Sequence, residues 1–142
     1  MEQKQITIVV AVIRNEAGEL LLAQRNQPET PEIHGIWEFV GGGIDFGEDP
    51  IDAIKREVRE EIGVEIGEIK LLPKILSDIQ EFSDGNKVQV LILSYECKIT
   101  SGIPEPKDKE IGTIKYVAIS EIKNYPAFRN IYQTLDILNS KF

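Results

Sequence analysis

The chain has 142 residues, of which 42% are hydrophobic and 28% are charged. This length and balance are typical of one folded globular domain and exclude a disordered chain. Sixteen Lys and Arg against 24 Asp and Glu give a formal charge of −8, which excludes long nucleic acid as a favoured partner.

Residues 6–13 are β-branched and almost entirely apolar, which predicts a strand that is buried on both faces. A turn signal at 15–18 and an apolar segment at 20–23 predict that a second strand forms a hairpin with the first. Residues 26–35 predict an irregular loop, and residues 36–40 predict a short strand before three glycines. These elements predict that the N-terminal part of the chain forms mainly β-strands.

Helix signals follow the glycines. Asp49 is placed to cap a helix, Pro50 suits its first position, and Gly63 follows its last residue, so we predict a helix over residues 50–62. Its apolar residues recur at helical spacing and should face a sheet; they are Ile51, Ile54, Val58 and Ile62.

The second half of the chain predicts further strands and a last helix. Strands are expected near 71–80, over 87–99 and near 113–118, with a turn at 83–86 and a polar loop at 100–110. A C-terminal helix is predicted from the spacing of Phe128, Ile131, Tyr132, Leu135 and Leu138. Together the elements predict a single α/β domain over residues 1–142.

The location of the protein is predicted from what the sequence lacks. Cys97 is the only cysteine, so the chain forms no internal disulfide, as is usual in a reducing cytosol. No apolar run approaches the ~20 residues of a membrane span, and the first residues lack signal-peptide flanks. We therefore predict a cytoplasmic protein that does not enter a membrane.

The predicted helix carries a cluster of carboxylates. Glu57, Glu60 and Glu61 fall within about 100° of arc beside the apolar stripe. These like charges repel one another, whereas a hard divalent cation such as Mg²⁺ would bind their oxygens and keep sites for phosphate. The alternative is a solvated surface with ordinary ion pairs, because Arg56 lies four residues from Asp52 on one side and from Glu60 on the other.

The stretch from Gly42 to Val64, GGIDFGEDPIDAIKREVREEIGV, resembles the Nudix box. The matching positions are Gly42, Glu48, Arg56, Glu57, Glu60, Glu61 and Gly63, with apolar Val58 and Val64. The preceding residues 37–42, Trp-Glu-Phe-Val-Gly-Gly, are similar to the lead-in of the MutT-like branch, with Val40 where that branch usually has Pro.

The resemblance implies a Nudix fold, an α/β sandwich with a mixed β-sheet between helices. It also implies cleavage of a diphosphate linkage by water with Mg²⁺ or Mn²⁺. By the same resemblance, Glu60 and Glu61 would bind the metal together with the backbone carbonyl of Gly41. Glu57 would be a further ligand or the general base, and Arg56 would orient it. The catalytic residues predicted in this way are Glu57, Arg56 and Glu60, with Glu48 at the edge of the metal site.

Four residues outside the box complete the prediction. Glu110 matches a distant metal ligand of MutT-like enzymes, although an ordinary loop residue is the alternative. Arg25 matches a position that contacts phosphate in such relatives, with a surface charge as the alternative. Trp37 is predicted either to pack in the core or to line the base site, and Phe82 to stack on the base.

The predicted function is Mg²⁺-dependent pyrophosphohydrolysis of a small nucleotide, first of all a nucleoside triphosphate cut to monophosphate and pyrophosphate. A nucleotide-sugar or dinucleotide pyrophosphatase is the alternative enzyme. A Nudix-like nucleotide sensor without catalysis is the alternative from another class, although this chain retains Glu57, Glu60 and Glu61. The oligomeric state, monomer or homodimer, is left open.

Overall fold

The computed structural model describes residues 2–140 and contains two β-sheets, two α-helices and a short 3₁₀ helix. The strands are β1 (Gln3–Ile13), β2 (Leu20–Arg25), β3 (Trp37–Glu38), β4 (Val40–Gly43), β5 (Glu65–Leu71), β6 (Leu76–Glu81), β7 (Lys87–Ser101) and β8 (Ile111–Val117). The helices are α1 (Pro50–Ile62), the 3₁₀ helix (Ile119–Asn124) and α2 (Arg129–Asn139). Neither α-helix is long and apolar enough to cross a membrane, as far as residues 2–140 are concerned.

The larger sheet has five strands in the order β4-β1-β7-β5, with β6 paired to the other half of the same edge of β7. It is mixed, because β1 and β7 are parallel whereas the other pairs are antiparallel. The smaller sheet is antiparallel, with the order β3-β2-β8. The chain passes from the smaller to the larger sheet at Phe39, between β3 and β4.

Strand β1 is buried on both faces from Val9 to Ile13, whereas Ile6, at the start of the segment predicted to be buried, is exposed. Alternate side chains enter two separate cores because successive residues of a strand point to opposite faces. Val9 and Ala11 pack in the core that contains α1, whereas Val10 and Val12 pack in the core that contains α2. The helices therefore lie on opposite faces of the larger sheet.

Helix α1 has the predicted bounds. The Asp49 carboxylate accepts a hydrogen bond from the Ile51 N–H at 2.9 Å, and Gly63 ends the helix in the left-handed conformation. Ile54, Val58 and Ile62 are fully buried. The prediction for Ile51 was wrong: its side chain is exposed, and Ala53 is the buried residue of the first turn.

Two strand predictions were also wrong. The turn at 15–18 forms, but β2 meets β1 only at one bridge, Arg14–Leu20, and then joins the smaller sheet. Strand β4 pairs with Ile8–Ala11 on one edge of β1, and β7 pairs along the whole of the other edge, so a ladder with β2 has no room beyond Val12.

The single strand expected near 71–80 is two strands, β5 and β6. The break at residues 72–75 contains Pro73, which has no N–H to donate to a strand ladder. The turn at 83–86 is confirmed, and β7 follows it at the predicted residue. A C-terminal helix is also confirmed, although its N-terminal residue is Arg129.

Gly41 allows β4 to lie directly on β1. A Cβ atom at this position would lie 2.1 Å from the Val9 carbonyl oxygen and 2.7 Å from the Val10 Cα. Both are backbone atoms of a central strand, so they cannot move aside. At Gly43, two residues along the same strand, a Cβ would meet nothing within 4 Å.

We therefore expect Gly41→Ala to lower the free energy of unfolding by about 2–3 kcal/mol or more, the usual cost of overpacking. Gly43→Ala is the matched control and should change it by less than about 0.5 kcal/mol. Urea denaturation measures both variants. Equal stability of the two would contradict the close approach of β4 to β1.

Candidate active site

The Arg56 guanidinium is the centre of a network on α1. Its Nε and Nη2 atoms each donate to the Glu48 carboxylate at 2.9 Å, which is a bidentate pair. Its Nη1 donates to Glu57 at 3.0 Å and to Glu60 at 3.3 Å, and Nη2 also donates to the Gly43 carbonyl at 3.0 Å. One cation thus donates hydrogen bonds to three carboxylates and lies 3.7 Å from a fourth, that of Asp45. The predicted contact between Arg56 and Glu57 is present.

Glu48 joins the loop before α1 to Arg56. Besides the two bonds from Arg56, its carboxylate accepts a hydrogen bond from the Asp45 N–H at 3.0 Å. The hydrogen bonds from Arg56, and then that from Asp45, lower the pKa of Glu48 to about 2. Glu48 therefore stays ionised and orients Arg56.

Glu57 and Glu60 differ in their surroundings although both contact Arg56. The Glu57 side chain is 15% exposed and that of Glu60 is 59% exposed. Burial raises the pKa of Glu57 above its ordinary value, and the hydrogen bond from Arg56 opposes this shift. A Cβ at Gly42 would lie 2.6 Å from the Glu57 carboxyl carbon, so only glycine leaves room for Glu57 beside β4.

Glu61 contacts β4 at the residue before Gly42. The Gly41 N–H donates a hydrogen bond to the Glu61 carboxylate at 2.9 Å. Burial raises the pKa of Glu61 to about 8, although the Gly41 hydrogen bond acts in the opposite direction. The negative charges of Glu57, Glu38 and Asp108 add to the increase. Glu61 is therefore a desolvated carboxylate among like charges, an environment that a cation would stabilise.

The loop after β7 closes over the end of α1 and brings two more acidic residues to this place. The Lys107 N–H donates to the Glu61 carbonyl at 2.8 Å, and the Glu105 N–H donates to the Ile62 carbonyl at 3.2 Å. Two residues before Glu110, the Asp108 carboxylate accepts the Glu110 N–H at 2.8 Å. The loop thus fixes the backbone of Glu110, whose negative charge acts on Glu38, while that of Asp108 acts on Glu61.

Arg25, at the end of β2, lies between two carboxylates. Its Nη2 donates to Glu38 at 2.9 Å, and its Nη1 is 3.7 Å from Glu110. Its Nε is buried and has no hydrogen-bond acceptor among the described residues. Burial raises the pKa of Glu38, and the charge of Arg25 opposes that shift. This places the predicted residues Arg25 and Glu110 together.

A cleft of about 270 Å³ lies on the α2 face of the larger sheet and runs from β4 across β1 and β7 to β6. Its floor is apolar and is formed by Ile8, Val10, Val90 and Ile92. At the β4 end it is lined by Arg25, Glu38, Gly41 and Gly42, and at the β6 end by Asp78, Gln80, Asn130 and Gln133. Glu57 and Glu61 reach Gly42 and Gly41 from α1, so the glycines connect the carboxylates to the cleft.

Trp37 and Phe82 are not brought to this place. Trp37 is buried in the core on the α2 side and packs edge-on against Tyr125, with ring centroids 5.4 Å apart. Of the two alternatives predicted for Trp37, the structure has the core position. Phe82 is exposed at the turn after β6 and lines a separate pocket with Lys4 and Asn86.

Sequence reasoning missed Glu38, Asp108 and the polar side chains at the β6 end of the cleft. Glu38 lies within the lead-in motif, so its position beside Trp37 was a usable signal. Neither Asp78 nor Asn130 belongs to a sequence motif. They line one cleft because α2 packs on the sheet. No local pattern could have identified them.

The carboxylate set fits a hard divalent cation in its chemistry. Oxygen ligands are those preferred by Mg²⁺ and Mn²⁺, and Glu57 and Glu61 are partly desolvated without a cationic side chain beside Glu61. Across residues 2–140, no three acidic, His or Cys side chains already converge closely enough to hold a metal ion.

A family model described as the NUDIX domain matches residues 4–135. The chain is 33% identical over 81 residues to the 8-oxo-dGTP diphosphatase of Proteus vulgaris, an alignment that covers 57% of this chain and 70% of that protein. It is 32% identical over 99 residues to the nucleoside triphosphatase NudI of Escherichia fergusonii, which covers 66% and 69% respectively.

A solved structure with a similar fold is the MutT NUDIX hydrolase from Burkholderia pseudomallei. It covers 94% of this chain and 98% of that chain with a TM-score of 0.76. The identity is 21%, so this similarity supports the fold alone.

The raised pKa of Glu61 predicts that stability falls with pH in excess chelator. Between about 4.5, the ordinary value, and about 8 the folded state holds a proton that the unfolded state has lost, so folding weakens as pH rises through this range. Each pKa unit corresponds to about 1.4 kcal/mol. Glu61→Gln should match the unmodified chain near pH 4.5 and exceed its melting temperature at pH 8.

Added Mg²⁺ should restore the melting temperature of the unmodified chain at pH 8 but do less for Glu61→Gln, because ligand binding stabilises the folded state. Differential scanning fluorimetry across pH measures both effects. A variant that is less stable than the unmodified chain at pH 8 without metal would contradict the desolvation of Glu61.

Proposed function

The chain belongs to the Nudix hydrolase family, and on this basis we propose that it cleaves nucleoside triphosphates to a monophosphate and pyrophosphate. The NUDIX domain match over residues 4–135 confirms three predictions made from the sequence. These are the family with its MutT-like branch, the α/β sandwich, and the hydrolase class.

The observation that carries the proposed function is the complete carboxylate set beside the cleft. Arg56 contacts Glu57 and Glu60, while Glu61 is bound to the edge strand that lines the cleft. A sensor without catalysis would have no need of this constellation. Two relatives named for triphosphate substrates, the 8-oxo-dGTP diphosphatase and the nucleoside triphosphatase, support a triphosphate rather than a nucleotide sugar.

The proposed metal ligands are Glu57, Glu60, Glu61, Glu110 and the backbone carbonyl of Gly41. A divalent cation, Mg²⁺ or Mn²⁺, would neutralise phosphate charge and lower the pKa of water at this place. Burial, and then the negative charges of neighbouring carboxylates, raise the pKa of Glu61, and this is the physical reason to expect a cation. Glu110 would join the metal ligands from the loop that caps α1.

The protein groups would supply positioning and electrostatic stabilisation. Arg25, with a buried Nε that lacks an acceptor, would contact a phosphate oxygen at the β4 end of the cleft. Glu57 is proposed either as a further metal ligand or as the group that accepts the proton of the attacking water, and its hydrogen bond from Arg56 would orient it. Arg56 would act as a positioning residue, held in turn by Glu48.

The remaining predictions are unchanged by these findings. A small-molecule nucleotide partner is part of the proposal, and the cytoplasmic location stays a prediction from the sequence. The single domain over 1–142 includes residues 1, 141 and 142, which lie outside the described residues. Base stacking is not proposed for Trp37, which is in the core, or for Phe82, which lines another pocket.

Charge removal on α1 tests the mechanism. We expect Glu57→Gln, Glu60→Gln and Glu61→Gln each to lower kcat by about a hundredfold or more, the scale of lost electrostatic stabilisation. Asp52→Asn is the matched control, because Asp52 lies on the same helix, is exposed, and lies outside the box positions; it should change kcat less than about threefold. Steady-state kinetics with Mg²⁺ measures all four. Equal effects of the four substitutions, or full activity in excess chelator, would contradict the proposed site.

Product analysis tests the substrate class. A panel of nucleoside triphosphates, nucleotide sugars and dinucleotides is incubated with Mg²⁺ or Mn²⁺, and the products are separated by anion-exchange chromatography. We expect a monophosphate and pyrophosphate from triphosphates. Release of a diphosphate and orthophosphate would contradict the proposed bond, and a nucleotide sugar or dinucleotide cleaved with ten times the kcat/KM of every triphosphate would overturn the substrate class.

A further inference from the structure

One ion pair crosses the cleft at its β6 end. The Nη1 atom of Arg129, the first residue of α2, lies 3.3 Å from Oδ1 of Asp78 in β6. Both residues line the cleft and they are 51 positions apart in the chain. The contact therefore joins the helix on one side of the cleft to the strand on the other.

The position of Asp78 follows from the strand register. Asp78 pairs with Val90 of β7, whose side chain forms part of the cleft floor, so the two side chains lie on the same face of the sheet. Its neighbour Ile79 points to the other face and is exposed. Within the described residues, β6 is paired only with β7, so its ladder does not connect it to α2.

This ion pair contributes little to the free energy of unfolding. The Arg129 side chain is 69% exposed and that of Asp78 is 38% exposed. Exposed ion pairs contribute only about 0–1 kcal/mol to folding. Another pair of similar exposure, Arg59 with Glu65 at 55% and 47%, joins α1 to β5 away from the cleft and serves as a comparison.

We propose that Asp78 and Arg129 form a latch that holds α2 and β6 together over a bound nucleobase and so sets which bases are retained. The inference rests on the proposed function, because it takes the cleft as a nucleotide site. The apolar floor of Ile8, Val10, Val90 and Ile92 suits the flat face of a base. Phosphates would then lie at the opposite end, beside Arg25 and the glycines of β4.

The latch should affect binding rather than the chemical step, because it lies at the end of the cleft opposite to Glu57 and Glu61. We expect Asp78→Asn and Arg129→Gln each to raise KM for the preferred triphosphate about three- to fivefold, the scale of one partly exposed ion pair. The preference between purine and pyrimidine triphosphates should shrink by a similar factor. Their melting temperatures should change no more than those of Arg59→Gln and Glu65→Gln, and these controls should leave KM unchanged.

Exchange of the two charges separates a latch from direct contact with the base. The double variant Asp78→Arg with Arg129→Asp restores an ion pair between β6 and α2, so we expect it to recover KM and base preference to within twofold. If the two side chains instead contact the base themselves, the exchange would leave KM raised, and this result would overturn the latch.

The 142-residue chain and its variants are also titrated calorimetrically with non-hydrolysable triphosphate analogues of the four bases, in addition to the KM measurements. Loss of affinity in the single variants and recovery in the exchanged variant support the latch, even if the unmodified chain proves unable to cleave triphosphates and the proposed function fails. Unchanged affinity in the single variants overturns the latch while the proposed function stands. Absence of nucleotide binding by the unmodified chain overturns both.

Discussion

The contact of one guanidinium with three carboxylates is the interaction on which the site depends. Without Arg56, Glu48 would lose both of its side-chain hydrogen bonds, and Glu57 and Glu60 would repel each other on the helix. Arg56 neutralises part of this charge and also fixes geometry, because its bidentate bond to Glu48 ties the loop to the helix. Arg56 does not contact Glu61, whose pKa burial raises to about 8, so the ionised form of this carboxylate is left for a cation to stabilise.

The second requirement is an edge strand, β4, that contains three consecutive glycines. Helix α1 and the cleft lie on opposite faces of the larger sheet. Larger residues on β4 would therefore keep the carboxylates of α1 away from the edge of the cleft. Gly42 leaves room for the Glu57 carboxylate, and the Gly41 N–H binds that of Glu61. Carboxylates that belong to one face of the sheet can thereby act at the edge of a cleft on the other face.

Local sequence signals predicted the parts of the fold that depend on neighbouring residues. Helix α1 has the predicted bounds because a capping Asp49, a Pro50 at the first position and a terminal Gly63 act within a few residues of each other. The hairpin between β1 and β2 failed for the opposite reason. A turn sequence specifies the turn, but β4 pairs with Ile8–Ala11 on the edge of β1 that a longer ladder with β2 would need.

The sequence by itself determined the family, the acidic helix and the residues of the box, because these are recorded in spacings along one continuous segment. Only the tertiary structure decided that Trp37 is a core residue, that Phe82 lies at another pocket, and that Asp78 faces Arg129 across the cleft. Those outcomes depend on how α2 and the two sheets pack on one another. Packing brings together residues that are distant in the chain, and no local periodicity or motif specifies which of them will meet.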